Sequence, residues 1–133
     1  MTTYANFIST ISGVAITGVT SIDYHPLSIH TADLPMAFPK LPGGVRNYQT
    51  STTCMGDQKD RTCDLVVVME PIGQDNQEPN FDATVAMMDV VETALDTLYT
   101  DGEYMFTYEI SAGIEPVGEV PHWAVIASLN LTG

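Results

Sequence analysis

Histidines are well suited to acid–base chemistry and metal binding, and this chain has three of them, His25, His30 and His122. Together with Asp23, His25 and His30 form a combination that could hold a metal ion. Their spacing fits neither the histidine pair of one helical turn nor a known run of ligands. We therefore predict structural or surface roles for the histidines.

Other arrangements that could do chemistry are equally incomplete. Gly43-Gly44 lacks the lysine and the strand-to-helix setting of a phosphate-binding loop. Asp57 and Asp60 lack the alternating ligands and closing glutamate of a calcium loop. So acidic a chain also places carboxylates close together by chance. The sequence predicts no enzyme, no cofactor and no metal site.

Two cysteines, Cys54 and Cys63, flank the polar cluster Gly56–Arg61, which is typical of a hairpin tip. A disulfide across such a hairpin is sterically possible. A reducing cytoplasm instead favours two free thiols on neighbouring strands, because glutathione and thioredoxin keep thiols reduced.

A large charge imbalance dominates the composition. Seventeen acidic residues face four basic ones, a net charge of −13 on 133 residues, yet 44% of the chain is hydrophobic. This combination predicts one compact domain with a negative surface, which repels nucleic acid and anionic membranes. No apolar run is long enough to span a membrane, and the N-terminus lacks the pattern of a secretory signal, so we expect a cytoplasmic product.

The first half of the chain predicts a short helix and three extended segments. Thr3 is a suitable N-cap for a helix ending near Gly13. The prolines of Ala32–Pro42 predict an edge strand or an extended stretch, and not a central strand, because proline lacks the amide donor that an interior strand uses. Arg46–Cys54 and the more apolar Thr62–Met69 are expected to pair as an antiparallel hairpin through a loop around Gly56.

The second half predicts a long helix followed by two strands. Apolar residues recur at helical spacing over Phe81–Leu98, with Asn80 as a candidate N-cap. Tyr104–Ile110 and His122–Leu131 alternate as strands do, joined by a long connection. We predict an α+β fold, with a mostly antiparallel sheet of about four to five strands, the long helix packed across it and a short N-terminal helix.

Charged residues fall into two separate groups. All four cations lie within one third of the chain, and four acidic residues share one face of the long helix. The cations are Lys40, Arg46, Lys59 and Arg61, and the acidic residues are Asp82, Asp89, Glu92 and Asp96.

Three stretches resemble the tail terminator proteins of long-tailed bacteriophages, also called minor tail or tail-completion proteins. Ala32–Phe38 is similar to the family's early strand. Cys63–Pro71, followed by a polar loop and the helix Phe81–Leu98, is similar to its central strand and long helix. His122–Leu131 resembles its closing strand. The likeness in element order covers most of the chain and is closer to flexible, non-contractile tails.

This resemblance implies a structural virion protein of the tail and neck, assembled in the host cytoplasm. Such proteins form a homohexameric ring on the last ring of tail tube protein, stop tube polymerisation and present a surface to the head–tail connector protein. DNA passes through the lumen without specific binding, which an acidic lumen favours. A ring needs two complementary patches on each copy, and we expect the four cations and the four helical acids to supply them.

Other interpretations of the same features stay open. The acidic helix face is also what a solvated helix presents, and the hairpin could simply project into solvent. A head–tail connector or stopper protein of the phage neck has similar requirements. An acidic DNA mimic that inhibits a DNA-binding protein is an alternative of a different class, and a small metal-dependent hydrolase is another.

Overall fold

The chain folds as an α+β domain, as the sequence predicts. The structure, a computed structural model, describes residues 3–24, 26, 34–47, 58–72, 77–101 and 106–132. These residues form two helices and one six-stranded sheet, rather than four to five strands. The helices are α1 (Tyr4–Ser12) and α2 (Gln77–Asp101), and the strands are β1 (Thr20–Ser21), β2 (Met36–Pro39), β3 (Gly43–Asn47), β4 (Gln58–Pro71), β5 (Phe106–Val117) and β6 (Val120–Thr132).

Helix α1 begins and ends where the sequence predicts. Thr3 is its N-cap and accepts a hydrogen bond from the amide of Asn6 at 3.1 Å, while Gly13 is its C-cap. Phe7 and Ile11 are buried on the face that α1 turns towards the sheet. Packing of this apolar face, more than helix propensity, holds so short a helix.

Strand β4 lies at the centre of the sheet, in the order β1-β2-β4-β6-β5, with β3 also paired to β4. Every pairing is antiparallel except that of β1 with β2. The prediction that the proline-containing segment is an edge strand is wrong for β2, which lies between β1 and β4 and is fully buried. The arrangement is possible because β1 covers only Met36 and Ala37, leaving Pro39 free of a ladder bond on that side.

The antiparallel pairing predicted for the segments on either side of Gly56 is confirmed, but the bounds of the strands differ. The first strand of the pair is β3, which begins at Gly43. Strand β3 pairs with the start of β4, so Lys59 and Arg61 lie within a paired strand and not at a hairpin tip. Residues 48–57, including Cys54, lie outside the described part of the chain. The difference arises because β4 begins at Gln58, several residues before the apolar run that predicts this strand from the sequence.

Helix α2 is longer than predicted and starts earlier. It begins at Gln77, so Asn80 is not its N-cap; the carbonyl of Asn80 instead accepts a hydrogen bond from the hydroxyl of Thr84 at 2.7 Å. Pro79 is compatible with this start because the first turn of a helix does not need its amide donors.

The sheet buries a core on each of its two faces. The helix-covered face packs against α1 and α2 and includes Leu65, Val67 and Val125, with Val91 and Leu95 contributed by α2. The opposite face buries a second cluster, which consists of Met36, Phe38, Val66, Val68, Val117 and Ala124. Both clusters explain why the central run of β4 is apolar without alternation.

Strands β5 and β6 form one long hairpin instead of two strands with a long connection. Pairing continues to Val117 and Val120, and the turn uses Gly118 at φ +62°. Val117 belongs to the cluster with Met36 and Phe38, so the end of the hairpin folds over that face of the sheet. Residues predicted as a connection therefore complete the core.

Candidate interaction surfaces

Helix α2 carries an exposed acidic surface. The acidic helix face consists of Asp82, Asp89, Glu92 and Asp96, and all four residues are exposed. Glu78 and Asp101 add to the charge, and no Lys, Arg or His lies among the 25 residues of α2. Like charges one turn apart, such as Glu92 and Asp96, destabilise an isolated helix by about 0.2–0.5 kcal/mol per pair. Packing on the sheet must offset this cost.

One member of the acidic helix face has a partner within the chain. The hydroxyl of Tyr108 on β5 donates a hydrogen bond to Oδ1 of Asp96 at 2.5 Å. This bond to a carboxylate, helped by desolvation and by the charges of Asp96 and Glu92, raises the pKa of Tyr108 to about 12. The contact fixes the second half of α2 to β5.

Two of the four cations are used inside the domain. Lys40 lies directly after β2, and its Nζ is 2.9 Å from Oε1 of Glu115 on β5. The side chain of Glu115 is only 10% exposed. Strands β2 and β5 are not neighbours, because β4 and β6 lie between them in the sheet. The ion pair therefore connects the end of the β5–β6 hairpin to the segment that follows β2.

Arg61 is the second cation used inside the domain. It is 3% exposed, and its guanidinium carbon lies 5.3 Å from the centre of the Tyr4 ring, a cation–π contact. Its Nε has no hydrogen-bond acceptor among the described residues. The expectation that Arg61 is an accessible cation at a hairpin tip is therefore wrong, because the helix-covered face encloses it beneath α1.

The remaining cations are brought together by strand register. Arg46 on β3 and Lys59 on β4 are direct cross-strand partners. Like charges directly opposite each other destabilise an antiparallel pair. Of the four residues expected to form a cationic patch, Lys40 and Arg61 are engaged inside the domain, and the role of Arg46 and Lys59 stays a prediction.

An apolar groove that the sequence did not predict lies where α2 begins. It encloses about 200 Å³ between α2 and the β5–β6 hairpin. Phe81 and Ile114 are 55% and 57% exposed, Val85 is also exposed, and the rings of Phe81 and Trp123 meet edge to face with centres 6.2 Å apart. We call Phe81, Val85, Ile114 and Trp123 the apolar groove. Phe81 and Val85 belong to the apolar spacing that predicts the helix, but the hairpin leaves both of them exposed at this end of α2.

A second groove of about 580 Å³ lies between the end of α1 and the second half of α2. Its described lining is made of glycine, alanine, valine, leucine and threonine, including Val14, Val90, Ala94 and Leu98. Among the described residues, no ionisable side chain of the kind that acid–base catalysis uses lines this groove.

Acidic residues also lie on the open part of the sheet. Asp64 on β4, Ser128 on β6 and Glu109 on β5 are aligned across three strands. They border a shallow pocket of about 320 Å³ with Thr62 and Asn130. The negative surface therefore extends beyond α2.

The structure describes one of the three histidines and one of the two cysteines. His25, His30 and Cys54 lie outside the described residues. His122 is buried and its Nδ1 donates a hydrogen bond to the carbonyl of Val120 at 2.9 Å, a structural role. Cys63 is a buried free thiol that donates to the carbonyl of Lys40 at 3.1 Å. Burial, followed by the charge of Asp64, raises its pKa to about 11.

Two further observations concern broad function. The described residues contain no group of three or more histidine, cysteine or acidic side chains placed to hold a metal ion. Neither described helix is long and apolar enough to cross a membrane. No known protein family matches the chain, and a comparison with curated proteins finds no similar sequence.

Proposed function

We propose that this protein is a tail terminator of a long-tailed bacteriophage, a structural virion protein that forms a ring on the end of the tail tube. The ring stops tube polymerisation and offers a joining surface to the head–tail connector. The resemblance of three sequence stretches supplies the family, and the α+β fold with a long helix across a mostly antiparallel sheet is consistent with it.

The observation that carries the proposal is the apolar groove. Phe81, Val85 and Ile114 are each about half exposed and line one groove, and contiguous apolar surface of this kind is typical of a contact site for another molecule. No ionisable side chain lines the groove among the described residues, so its chemistry suits protein–protein contact better than catalysis.

The charge fits a ring through which DNA moves. Each copy contributes −13, so several copies around a lumen would create a strongly negative channel. Binding to phosphate needs lysine and arginine to displace counterions. Of the four cations here, Lys40 and Arg61 are already engaged inside the domain. DNA would pass such a wall without adhering to it.

The spacing of the acidic helix face disfavours the DNA mimic. Its four acids follow at steps of seven, three and four residues, about 10.5, 4.5 and 6 Å along the helix axis, a mean of about 7 Å. Phosphates follow one another at about 3.4 Å of axial rise along each DNA strand. A row this sparse is a poor copy of the phosphate backbone and suits general repulsion of DNA.

Tube growth gives a direct test. The tail tube protein of the phage that encodes this chain would be polymerised alone, with this protein, and with an unrelated acidic protein of similar size and charge. We expect only this protein to halt elongation, and electron microscopy to show an added ring at one end of each tube. Native mass spectrometry should then find a multiple of the 14.4 kDa chain, six copies if the family's ring size holds.

The outcomes separate the alternatives. If the tubes keep their length and the protein binds DNA-filled heads, the protein would be a connector or stopper and not a terminator. Tubes of unchanged length together with salt-sensitive binding to a basic DNA-binding protein would replace it by a DNA mimic.

A further inference from the structure

Strand β5 lies at one edge of the sheet, and among the described strands it pairs only with β6. Such an edge presents a row of main-chain amides and carbonyls that can bind another strand. Proteins commonly block a long edge with lysines, bulges or prolines. Strand β5 is 12 residues long, has no lysine and no shift in its register with β6, and carries its one proline, Pro116, near its end. Among the described residues, this edge is therefore open to an added strand along most of its length.

The direction of the main-chain groups on β5 follows from the end of the hairpin. Pro121 is the cross-strand partner of Pro116, and its carbonyl accepts a hydrogen bond from the amide of Ile72, on the side away from β5. Pro116 and Pro121 are therefore a non-hydrogen-bonded pair of the antiparallel ladder, and their main chains point away from each other. This orientation repeats every two residues along β5. The residues that turn their amide and carbonyl groups to the free edge therefore include Ile110, Ala112 and Ile114.

The apolar groove opens directly beside this edge. Ala112 and Ile114 of β5 line its cavity together with Phe81 and Val85 of α2. A strand added to β5 would therefore place every second side chain between β5 and α2. The cavity of about 200 Å³ is smaller than the pockets of about 300–1,000 Å³ that hold small molecules, so its size suits the apolar side chains of a polypeptide.

The flank of α2 that borders the groove is apolar at its centre and acidic at both ends. Its residues follow at steps of three or four and so share one face of the helix; they are Glu78, Phe81, Val85, Met88 and Glu92. Both glutamates are exposed, and Glu92 lies close enough to Tyr108 of β5 to contribute to its raised pKa. The two glutamates are separated by about 21 Å along the helix axis, the length of about six residues of a strand.

We propose that β5 and the apolar groove receive an extended segment of a partner protein, which adds to the sheet as a further strand. The side chains that this segment turns towards α2 are apolar at its centre, and lysine or arginine at both ends, about six residues apart. A second copy of β5 lacks this pattern, because it carries Glu109 and Glu115 and no cation. The inference rests on the groove being a contact surface, as the proposed function has it, and names the chemistry of the partner; it does not require a ring.

A designed peptide tests the site in solution. In this peptide, threonine alternates with lysine, leucine, valine and a second lysine, in that order. Its addition should shift the amide resonances of Ile110, Ala112 and Ile114 in nuclear magnetic resonance spectra, which detect even millimolar affinity. A control peptide with glutamate in place of both lysines should bind at least about tenfold more weakly, because the ends of the α2 flank are acidic.

Two variants with matched controls separate the main-chain contact from the groove. Ala112→Pro removes an amide from the free edge and none from the ladder with β6, so the fold should persist by circular dichroism while peptide affinity falls by about tenfold or more. Ala112→Gly keeps the amide and should bind the peptide normally. Val85→Gln should also weaken binding by about tenfold, whereas Ala86→Gln, at an exposed position on another face of α2, should not.

The outcomes are distinct from those of the tube assay. Unchanged β5 resonances at millimolar peptide, or equal affinity for the lysine and glutamate peptides, would overturn the inference. The same resonances shifting with protein concentration alone would assign the surface to a second copy and would also overturn it. A protein that binds the peptide but never caps tubes would refute the terminator and retain this site, and a protein that caps tubes but ignores the peptide would do the reverse.

Discussion

The ion pair between Lys40 and Glu115 should control the end of the β5–β6 hairpin. Its atoms are 2.9 Å apart, and the side chains are 35% and 10% exposed. Ile114, next to Glu115, lies in the apolar groove, so the ion pair also helps to position that groove. Replacing Lys40 with methionine keeps most of the packing of its stem and removes only the charge.

The magnitude follows from the unequal burial of the two partners. Exposed ion pairs contribute about 0–1 kcal/mol, whereas removing one partner of a fully buried pair costs about 3–5 kcal/mol. This pair lies between these limits, because Glu115 is buried and Lys40 can reach solvent. We expect Lys40→Met to lower the free energy of unfolding by about 2 kcal/mol, because it leaves a buried carboxylate unpaired. Glu115→Gln should cost about 1 kcal/mol, since Lys40 can turn to water.

Urea unfolding followed by tryptophan fluorescence measures this directly. Trp123 is the single tryptophan and lies on the hairpin itself. The variant that combines Lys40→Met with Glu115→Gln should lose less free energy of unfolding than the two single losses added together. The difference, the coupling energy of the pair, should be about 1–2 kcal/mol. Glu119→Gln, an exposed acid on the turn of the same hairpin, serves as the matched control and should change stability by less than about 0.5 kcal/mol. Additive single losses, or a Lys40→Met cost no larger than that of the control, would refute this account.

Two further predictions concern ionisable side chains. Cys63, in a Cys54→Ser background, should resist alkylation at pH 8 until urea unfolds the chain. Its pKa rises from about 9 unfolded to about 11 folded, so the native state keeps a proton that the unfolded state loses. The Cys63 thiol should therefore lower stability by about 2 kcal/mol from pH 9 to 11. Cys63→Ala should remove this part of the fall, and rapid alkylation of the native protein would contradict the prediction. Tyr108 should ionise near pH 12 in an ultraviolet titration. Asp96→Asn should return the pKa of Tyr108 towards its ordinary value of 10. An unchanged titration curve would show that the hydrogen bond to Asp96 does not set this pKa.

Local sequence pattern accounts for the elements that the sequence predicts correctly. Thr3 caps α1 because a hydroxyl at that position accepts an orphan amide whatever surrounds it. The run Leu65–Val68 reads as a buried strand because both faces of its sheet are covered. The spacing of Val91 and Leu95 places α2 on the sheet because a helix repeats every 3.6 residues. These features depend on neighbours within a few positions along the chain.

Boundaries and pairings depended on residues far away in sequence. Strand β2 is interior although it contains proline, because β1 covers only half of it. The early start of α2 and the continuous β5–β6 hairpin were missed because Pro79, Pro116 and Pro121 look like breaks in sequence. Each occupies a place where its missing amide is tolerated, and only the fold supplies that place.

Residue types and their spacing set the charge of the surfaces, which belong to a strongly acidic domain with an acidic helix face and four cations. The tertiary structure decided which of those residues are accessible. It buried Arg61 beneath Tyr4, joined Lys40 to Glu115 and left Phe81 and Val85 exposed beside Ile114. The physical reason is that charge and periodicity are properties of the chain, whereas accessibility depends on which distant strand or helix packs over a side chain.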